Sequence, residues 1–244
     1  MVQLIKIAGD VLEEAKNEQI PEKVHCILAD PPYFIDLGNH ESNYKCEWDS
    51  TKGSTQSNLV GWYLEWTRAY AEKLCDGGSL YVWGGVGKQK MRVFFEYAAR
   101  VEHETNLKIQ AVLTWHKKRA YGTANNYLFT REEVLFMVKG DKPCTFNIPY
   151  LDKERGYEGY NKDYPAKSKF LRRSMVWNDV TEIFKGKTHA AQKPERLSEI
   201  MIQTSTNPGD WVIDLFSGSG SARKAAERLG RNCISIEKDP SLLK

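Results

Sequence analysis

The chain is short of the features that place a protein outside the cell, across a membrane or around a metal. Its five cysteines, Cys26, Cys46, Cys75, Cys144 and Cys233, are odd in number, scattered and nowhere spaced Cys-x-x-Cys. That pattern argues against a disulfide framework and a cysteine zinc site; reduced thiols in a cytoplasmic setting are expected, with no metal. No stretch approaches the ~18 successive apolar residues of a membrane-spanning helix. The amino-terminal "MVQLIKIAGDVLEEAKNEQ" lacks a basic start, an apolar run and a small-residue cleavage site, so no secretory leader is expected. An excess of one charge is missing too: 35 Lys plus Arg stand against 32 Asp plus Glu. The resulting +3 does not identify a polyanionic partner, and local clustering must carry that argument. Internal repeats and low-complexity tracts are absent.

What is present is alternation. At 244 residues the chain is long enough for one large α/β domain. Apolar runs of strand length alternate with helix-like patterns at both ends, as βαβ units and a mostly parallel sheet require. "QLIKIA", "KVHCILA", "SLYVWGG", "KIQAVLTWHKK", "EEVLFMVKG", "WVIDLF" and "CISIE" read as strands. "VLEEAKNEQI", "NLVGWYLEWTRAYAEKLCDGG", "KQKMRVFFEYAARVE", "PERLSEIMIQTST" and "SARKAAERLG" read as helices. From Asp141 to Lys187 tyrosine, glycine, proline and lysine mix without a period, and no regular element is expected there.

"DLFSGSGSA" sets a strand, a Gly-Ser-Gly turn and a helix start in succession, with Gly218 and Gly220 allowing the backbone close to a ligand. Glu237 closes the next strand, where a carboxylate accepts from ribose hydroxyls. A dinucleotide fingerprint needs a third glycine, and that position is Arg223. A ligand with a ribose and no pyrophosphate, S-adenosylmethionine, suits the turn better. A glycine turn that merely closes the fold is the plain alternative.

"LADPPYF" leaves a strand with Asp30, two prolines and Tyr33. Asp-Pro also starts ordinary turns. The chemical reading is that the prolines freeze the Pro31 carbonyl beside the Asp30 carboxylate, so two acceptors converge on one exocyclic NH₂ group. Holding both N–H bonds localises the nitrogen lone pair for in-line attack on a sulfonium methyl. Tyr33 offers a π-face to a base swung out of its stack.

"ADPPY" at 29–33, "HAAQKPERL" at 189–197 and "DLFSGSG" at 214–220 together resemble the β group of amino-methylating DNA methyltransferases, which modify adenine N6 or cytosine N4. The similarity covers nearly the whole chain. It implies a Rossmann-like, S-adenosylmethionine-dependent fold with a seven-stranded, mostly parallel sheet in circularly permuted order, the first strand lying beside the last. The implied division is 1–140 as the catalytic part of the core, 141–187 as target-recognition region and 188–244 as the cofactor-binding part. By the same resemblance Asp30, Pro31, Pro32 and Tyr33 are catalytic. Asp214, Phe216, Ser217, Gly218, Ser219, Gly220, Ser221 and Glu237 hold the cofactor, with Gln192, Lys193 and Pro194 near its methionine half. Asp10 matches an aspartate that contacts the cofactor's adenine, and it equally suits a helix N-cap. His189 belongs to the third segment, while Ala190 and Ala191 depart from its usual pattern. Trp83 reads first as core and second as pocket wall. Asp in the first catalytic position leans toward adenine N6 over cytosine N4.

Double-stranded DNA is the partner so implied, and a homodimer fits the resembled group. "HKKR" (Lys117, Lys118, Arg119) and "KSKFLRR" (Lys167, Lys169, Arg172, Arg173) are candidate phosphate contacts, near Tyr157, Tyr160, Tyr164 and Phe170. Phe129 is a candidate to sandwich the target base. The polar segment 35–58 is long enough to close over a flipped nucleotide. Weaker readings are methylation of RNA or of a glutamine side chain, a non-catalytic DNA-binding partner, and a dinucleotide oxidoreductase.

Overall fold

The computed structural model describes residues 2–33, 56–85, 87, 90–121, 124–154, 168–183 and 192–243. The 35–58 segment up to residue 55, the residues Tyr157, Tyr160, Tyr164 and Lys167, and His189 to Ala191 lie outside the described residues.

The elements are β1 (Leu4–Ala8), α1 (Val11–Glu14), β2 (Val24–Ala29), α2 (Gln56–Lys73), β3 (Leu74–Gly85), α3 (Lys90–Glu104), β4 (Leu107–Tyr121) and β5 (Phe129–Lys139). They continue with β6 (Tyr150–Glu154), β7 (Phe170–Arg172), β8 (Val176–Trp177), α4 (Glu195–Ser205), β9 (Trp211–Leu215), α5 (Ser221–Arg228) and β10 (Asn232–Glu237). One sheet runs β1-β10-β9-β2-β3-β5-β4-β8. The first five strands are parallel, β5 is antiparallel to both β3 and β4, and β8 is parallel to β4. The first strand therefore lies beside the last, as a permuted order requires.

Both faces of the sheet are covered, which is why its central strands are apolar throughout and do not alternate. On one face Ile27, Val82, Leu215 and Ile236 pack with Trp66 and Tyr70 of α2 and Tyr97 of α3. On the other Leu28, Tyr81, Val212 and Cys233 pack with Leu197 and Met201 of α4 and Ala225 of α5. No described helix is long and apolar enough to cross a membrane.

Four expectations shift. Among the described residues the sheet has eight strands, not seven, because Val176 and Trp177 leave the stretch expected to be irregular and pair with Thr114 and Trp115. The first helix stops at Glu14, not near Ile20: the Asn17 amide donates to Glu14 and its oxygen accepts from Gln19 N at 2.9 Å, a local turn that competes with the helix. Gly77 and Gly78 do not end α2. They sit inside β3, where Gly77 has φ +74° and a Cβ on Gly78 would press on the Cys75 and Val24 carbonyls. Residues 141–149 are strapped to the core: Cys144 N donates to Gly77 O at 2.9 Å and Asn147 N to Thr204 O at 2.8 Å. Beyond them β6 and β7 form a separate two-stranded sheet.

Candidate active site

Register brings the motifs together. Ala8 pairs with Glu237, Ile236 with Leu215 and Leu215 with Ala29, so β1, β10, β9 and β2 end level with one another. Asp10, Glu237, Phe216 and Asp30 thus emerge along one rim, at the carboxyl ends of parallel strands where open α/β sheets bind ligands. They line one cavity of about 440 Å³.

The glycine turn is built for close approach. Phe216 (φ 62°), Gly218 (φ 48°) and Gly220 (φ 73°) all adopt left-handed backbone. Phe216 is the only non-glycine described residue to do so. Its ring is held 5.6 Å from Trp62 and 5.6 Å from Trp66 of α2. Ser217 N donates to Ile236 O at 2.9 Å, and Gly218 N donates to Glu237 Oε2 at 2.7 Å. A Cβ on Gly218 would meet nothing nearer than 4.0 Å, so the backbone there faces open space. Glu237 also accepts from Asp239 N at 2.9 Å. A carboxylate has about four lone-pair positions, so capacity remains for two hydroxyls.

Asp10 fulfils the N-cap reading and still lines the cavity: Oδ1 accepts from Leu12 N at 3.0 Å and Oδ2 from Lys238 at 3.0 Å. Burial opposes its ionisation, but the Leu12 amide and Lys238 outweigh that and hold its carboxyl below the usual range. Asp214 behaves in the opposite way. Burial lifts it to about 7, against the Ser217 hydroxyl bond at 2.9 Å and with Asp30 and Glu237 adding repulsion. Gln192, Lys193, Ser219 and Ser221 line the cavity as well. Gly220 and Pro194 act one step back, as the N-caps of α5 and α4.

At the catalytic end Pro31, Pro32 and Tyr33 follow Asp30 along the wall. The Tyr63 hydroxyl of α2 donates to Pro32 O at 3.0 Å and ties the double-proline turn to the core. Lys193 makes an ion pair with Asp30 Oδ2. The Tyr33 hydroxyl donates to Asp30 Oδ1 at 3.1 Å. Lys193 Nζ also lies 4.8 Å from the Trp83 ring centre and 5.4 Å from that of Tyr33, within cation–π range. Trp83 therefore serves both readings, buried against Trp115 and facing the cavity. Burial disfavours the Lys193 ammonium, yet Asp30 and Glu132 overcome this and raise its pKa above the ordinary lysine value. Burial, then Asp30 and Glu132, push the Tyr33 phenol well up, so it stays a donor.

Sequence reasoning missed Trp62, Asn58, Ser198 and Met201 on the cavity wall and Glu132 behind it. The Trp62–Trp66 spacing along α2 was the available signal for one aromatic face; nothing local marks the others.

The basic segments divide. Arg173 is a correction: its guanidinium is 2% exposed and clamps Asp179 through two bonds, at 2.5 and 2.8 Å, so it is spent inside the fold. Lys117 is likewise engaged, donating to Glu132 Oε1 at 2.7 Å beneath the catalytic turn. Lys118 and Arg119 keep exposed side chains while their backbone N–H groups donate to Glu182. Lys169 is exposed and pairs with Glu154 at 2.6 Å; Arg172 is exposed on β7. Phe129 is half-buried at the start of β5, and the two residues before it, Tyr127 and Leu128, are 92% and 63% exposed.

A family model for DNA methylases of the N6/N4 methyltransferase type matches residues 24–244. The Type II methyltransferase M.BamHI of Bacillus amyloliquefaciens is 31% identical over 247 residues, covering 94% of this chain and 53% of its own length. The chain thus spans about half of that relative. The DNA adenine methyltransferase YhdJ of Escherichia coli is 28% identical over 250 residues, with 98% and 79% covered. Among solved structures, the cytosine-N4-specific PvuII DNA methyltransferase superposes with TM-score 0.73 at 19% identity, covering 100% of this chain and 84% of that one. The M1.HpyAVI–SAM complex gives 0.63 at 24% identity, with 98% and 96% covered. Those two show the shared fold. With the family model spanning β2 and the Asp30 turn after it, the glycine turn and Glu237, the chain belongs to the N6/N4 DNA methylase family.

Proposed function

We propose that the chain transfers a methyl group from S-adenosylmethionine to the N6 amino group of adenine, in a nucleotide flipped out of double-stranded DNA at a specific sequence. The observation that carries this reading is the position of Asp30-Pro31-Pro32-Tyr33 on the wall of the same cavity that holds the glycine turn and Glu237. Acceptors for an amino group and a berth for an adenosine cofactor share one space.

The residues present fit that cofactor. Glu237 has free lone pairs for ribose hydroxyls, Trp62 and Phe216 are apolar walls, and the open backbone at Gly218 admits close approach. Asp10 stands on the adenosine side, and Gln192 with Lys193 on the catalytic side. Bound there, S-adenosylmethionine supplies an electrophilic methyl on a positive sulfur.

The chain's part is orientation and charge. Asp30 accepts one amino N–H and the Pro31 carbonyl the other, which favours a pyramidal nitrogen and stabilises the positive charge that develops on it. Tyr33 presents its ring to the flipped base, and before the base enters its hydroxyl bond to Asp30 sets the angle between the two. The proton lost by the methylated amino group passes toward Asp30, the nearest anionic acceptor in this reading. Lys118 and Arg119 on the β4–β5 hairpin, and Lys169 and Arg172 beside β6 and β7, supply phosphate contacts, with residues between 141 and 187 reading sequence.

Incubation with tritiated cofactor and genomic DNA, followed by nucleoside analysis, tests the assignment. Label in N6-methyl-2′-deoxyadenosine is expected. Label in N4-methyl-2′-deoxycytidine would support the second reading, transfer to cytosine N4. No label in DNA would overturn both.

A further inference from the structure

Asp30 does not stand alone for the role just given to it. Oδ2 carries the Lys193 ammonium and Oδ1 the Tyr33 hydroxyl. Each oxygen keeps a second lone pair, as those of Glu237 do, but a carboxylate whose charge is drawn to an ammonium is a weaker acceptor, so Asp30 serves an incoming amino group better once these donors shift away. A buried ammonium or hydroxyl does not let go into an apolar wall, because each would lose its partner in a low dielectric.

Glu132 answers that need. It lies on β5, opposite Trp115 of β4 and Gly85 of β3, and its side chain is 17% exposed. Its Oε2 lies 3.3 Å from the Tyr33 hydroxyl and 3.5 Å from Lys193 Nζ. The same two donors that hold Asp30 are thus already within reach of a second carboxylate. Glu132 is itself fixed from behind: Oε1 accepts from Lys117 Nζ at 2.7 Å. The group holds two anions, Asp30 and Glu132, and two cations, Lys193 and Lys117, so shifting Lys193 by about the length of a hydrogen bond changes no net charge.

We infer that Glu132 is a positioning residue that receives the Lys193 ammonium and the Tyr33 hydroxyl when the target amino group displaces them from Asp30. This rests on the proposed methyl transfer. Without DNA, Lys193 neutralises Asp30 and keeps the empty site from carrying an unpaired anion. With the base in place, Glu132 takes over that cation and Asp30 meets the amino group with its charge undivided. The charged and titratable groups facing the cluster are Asp30 at the end of β2, Tyr33 after it, Lys193 before α4, Lys117 on β4, Glu132 on β5, Tyr63 on α2 and Asp214 on β9.

Two measurements on the full chain test the role. The first follows the Lys193 ammonium by NMR on 15N-lysine-labelled protein through a pH titration, with no DNA present. Glu132→Gln is expected to move the Lys193 titration to lower pH. The second is steady-state methylation of a duplex carrying the chain's own site, found by modification-sensitive sequencing. Glu132→Gln is expected to lower kcat on the order of 10²-fold, as misplacement of a reacting group does. The cofactor Kd should stay within about two-fold, since Glu132 does not line the cofactor cavity. Glu132→Asp, which keeps the charge on a shorter arm, should fall between wild type and Glu132→Gln in both measurements, and it serves alone if the Gln variant does not fold. A Lys193 titration and a kcat unchanged by either substitution overturn the inference. If the wild type moves no methyl group to DNA, the proposed function falls, while the Lys193 titration still decides whether Glu132 holds that ammonium.

Discussion

Ala29 of β2 and Leu215 of β9 are register partners in adjacent parallel strands, so Asp30 and Phe216, the next residues along, leave the sheet side by side. Two motifs far apart in the chain become the two walls of one cavity by that single pairing.

Asp30 should be indispensable for transfer and dispensable for the cofactor. Asp30→Ala is expected to cut kcat at least ~10²–10³-fold, the scale on which single stabilising groups act. Calorimetric titration with the cofactor should give nearly the wild-type Kd. Loss of binding instead would reassign Asp30 to the cofactor.

Asp214 makes stability depend on pH in an unusual direction. Its folded-state pKa is raised from 3.8 to about 7, so its contribution is fully present below pH 3.8 and is lost as pH rises through about 7. Asn carries no such penalty, so Asp214→Asn should gain on wild type across that window, by a few kcal/mol at most given ~1.4 kcal/mol per pKa unit. Urea unfolding of both proteins at pH 4 and pH 8 checks it; a constant difference between them would refute the buried-carboxyl account.

The basic residues should separate into two behaviours. Lys118→Ala and Arg119→Ala are expected to weaken DNA binding and to reduce the salt slope by about one per phosphate contact, with Tm unchanged. Arg173→Ala should instead leave the Asp179 carboxylate without its clamp and cost ~1–3 kcal/mol of stability, since Asp179 is 38% exposed and water takes over part of the lost bonds. Melting curves beside salt-dependent binding isotherms distinguish the two classes.

Cys75 and Cys144 are free thiols with sulfurs 3.9 Å apart, on β3 and on the strap that leaves β5. A small disulfide oxidant should join them, removing two hydrogens, since closing to ~2.05 Å needs only modest side-chain movement. Burial, then Cys144 beside it, raises the Cys75 thiol to about 11, so the reaction should be slow near neutrality and faster as pH rises. The cross-link should add ~2–4 kcal/mol of stability. Intact-mass spectra and melting curves before and after oxidation read both effects.

What the sequence discloses is what local chemistry writes. The prolines after Asp30, the glycines at 218 and 220 and the apolar runs of β2, β9 and β10 constrain their own backbone, and each stands where expected. Partnership over distance is different. Arg173 reads as a free cation until Asp179 is seen beside it, and Glu132 reads as one of two surface glutamates on β5 until Lys193 and Lys117 close on it. The two-residue β8 has no period to detect, and exists because Thr114 and Trp115 offer it an open strand edge.

The aromatic contacts also join the two ends of the cavity. Phe216 touches Trp62, Trp62 lies 5.5 Å from Tyr63, and Tyr63 holds the Pro32 carbonyl. A ligand that settles the Phe216 turn therefore restrains, through two rings on one helix, the turn that carries Asp30. The two substrates should bind cooperatively, and by thermodynamic reciprocity each should tighten the other by one common factor. Replacing Tyr63 with Phe keeps the ring and deletes its last link, which should bring that factor toward unity while both sites remain able to bind.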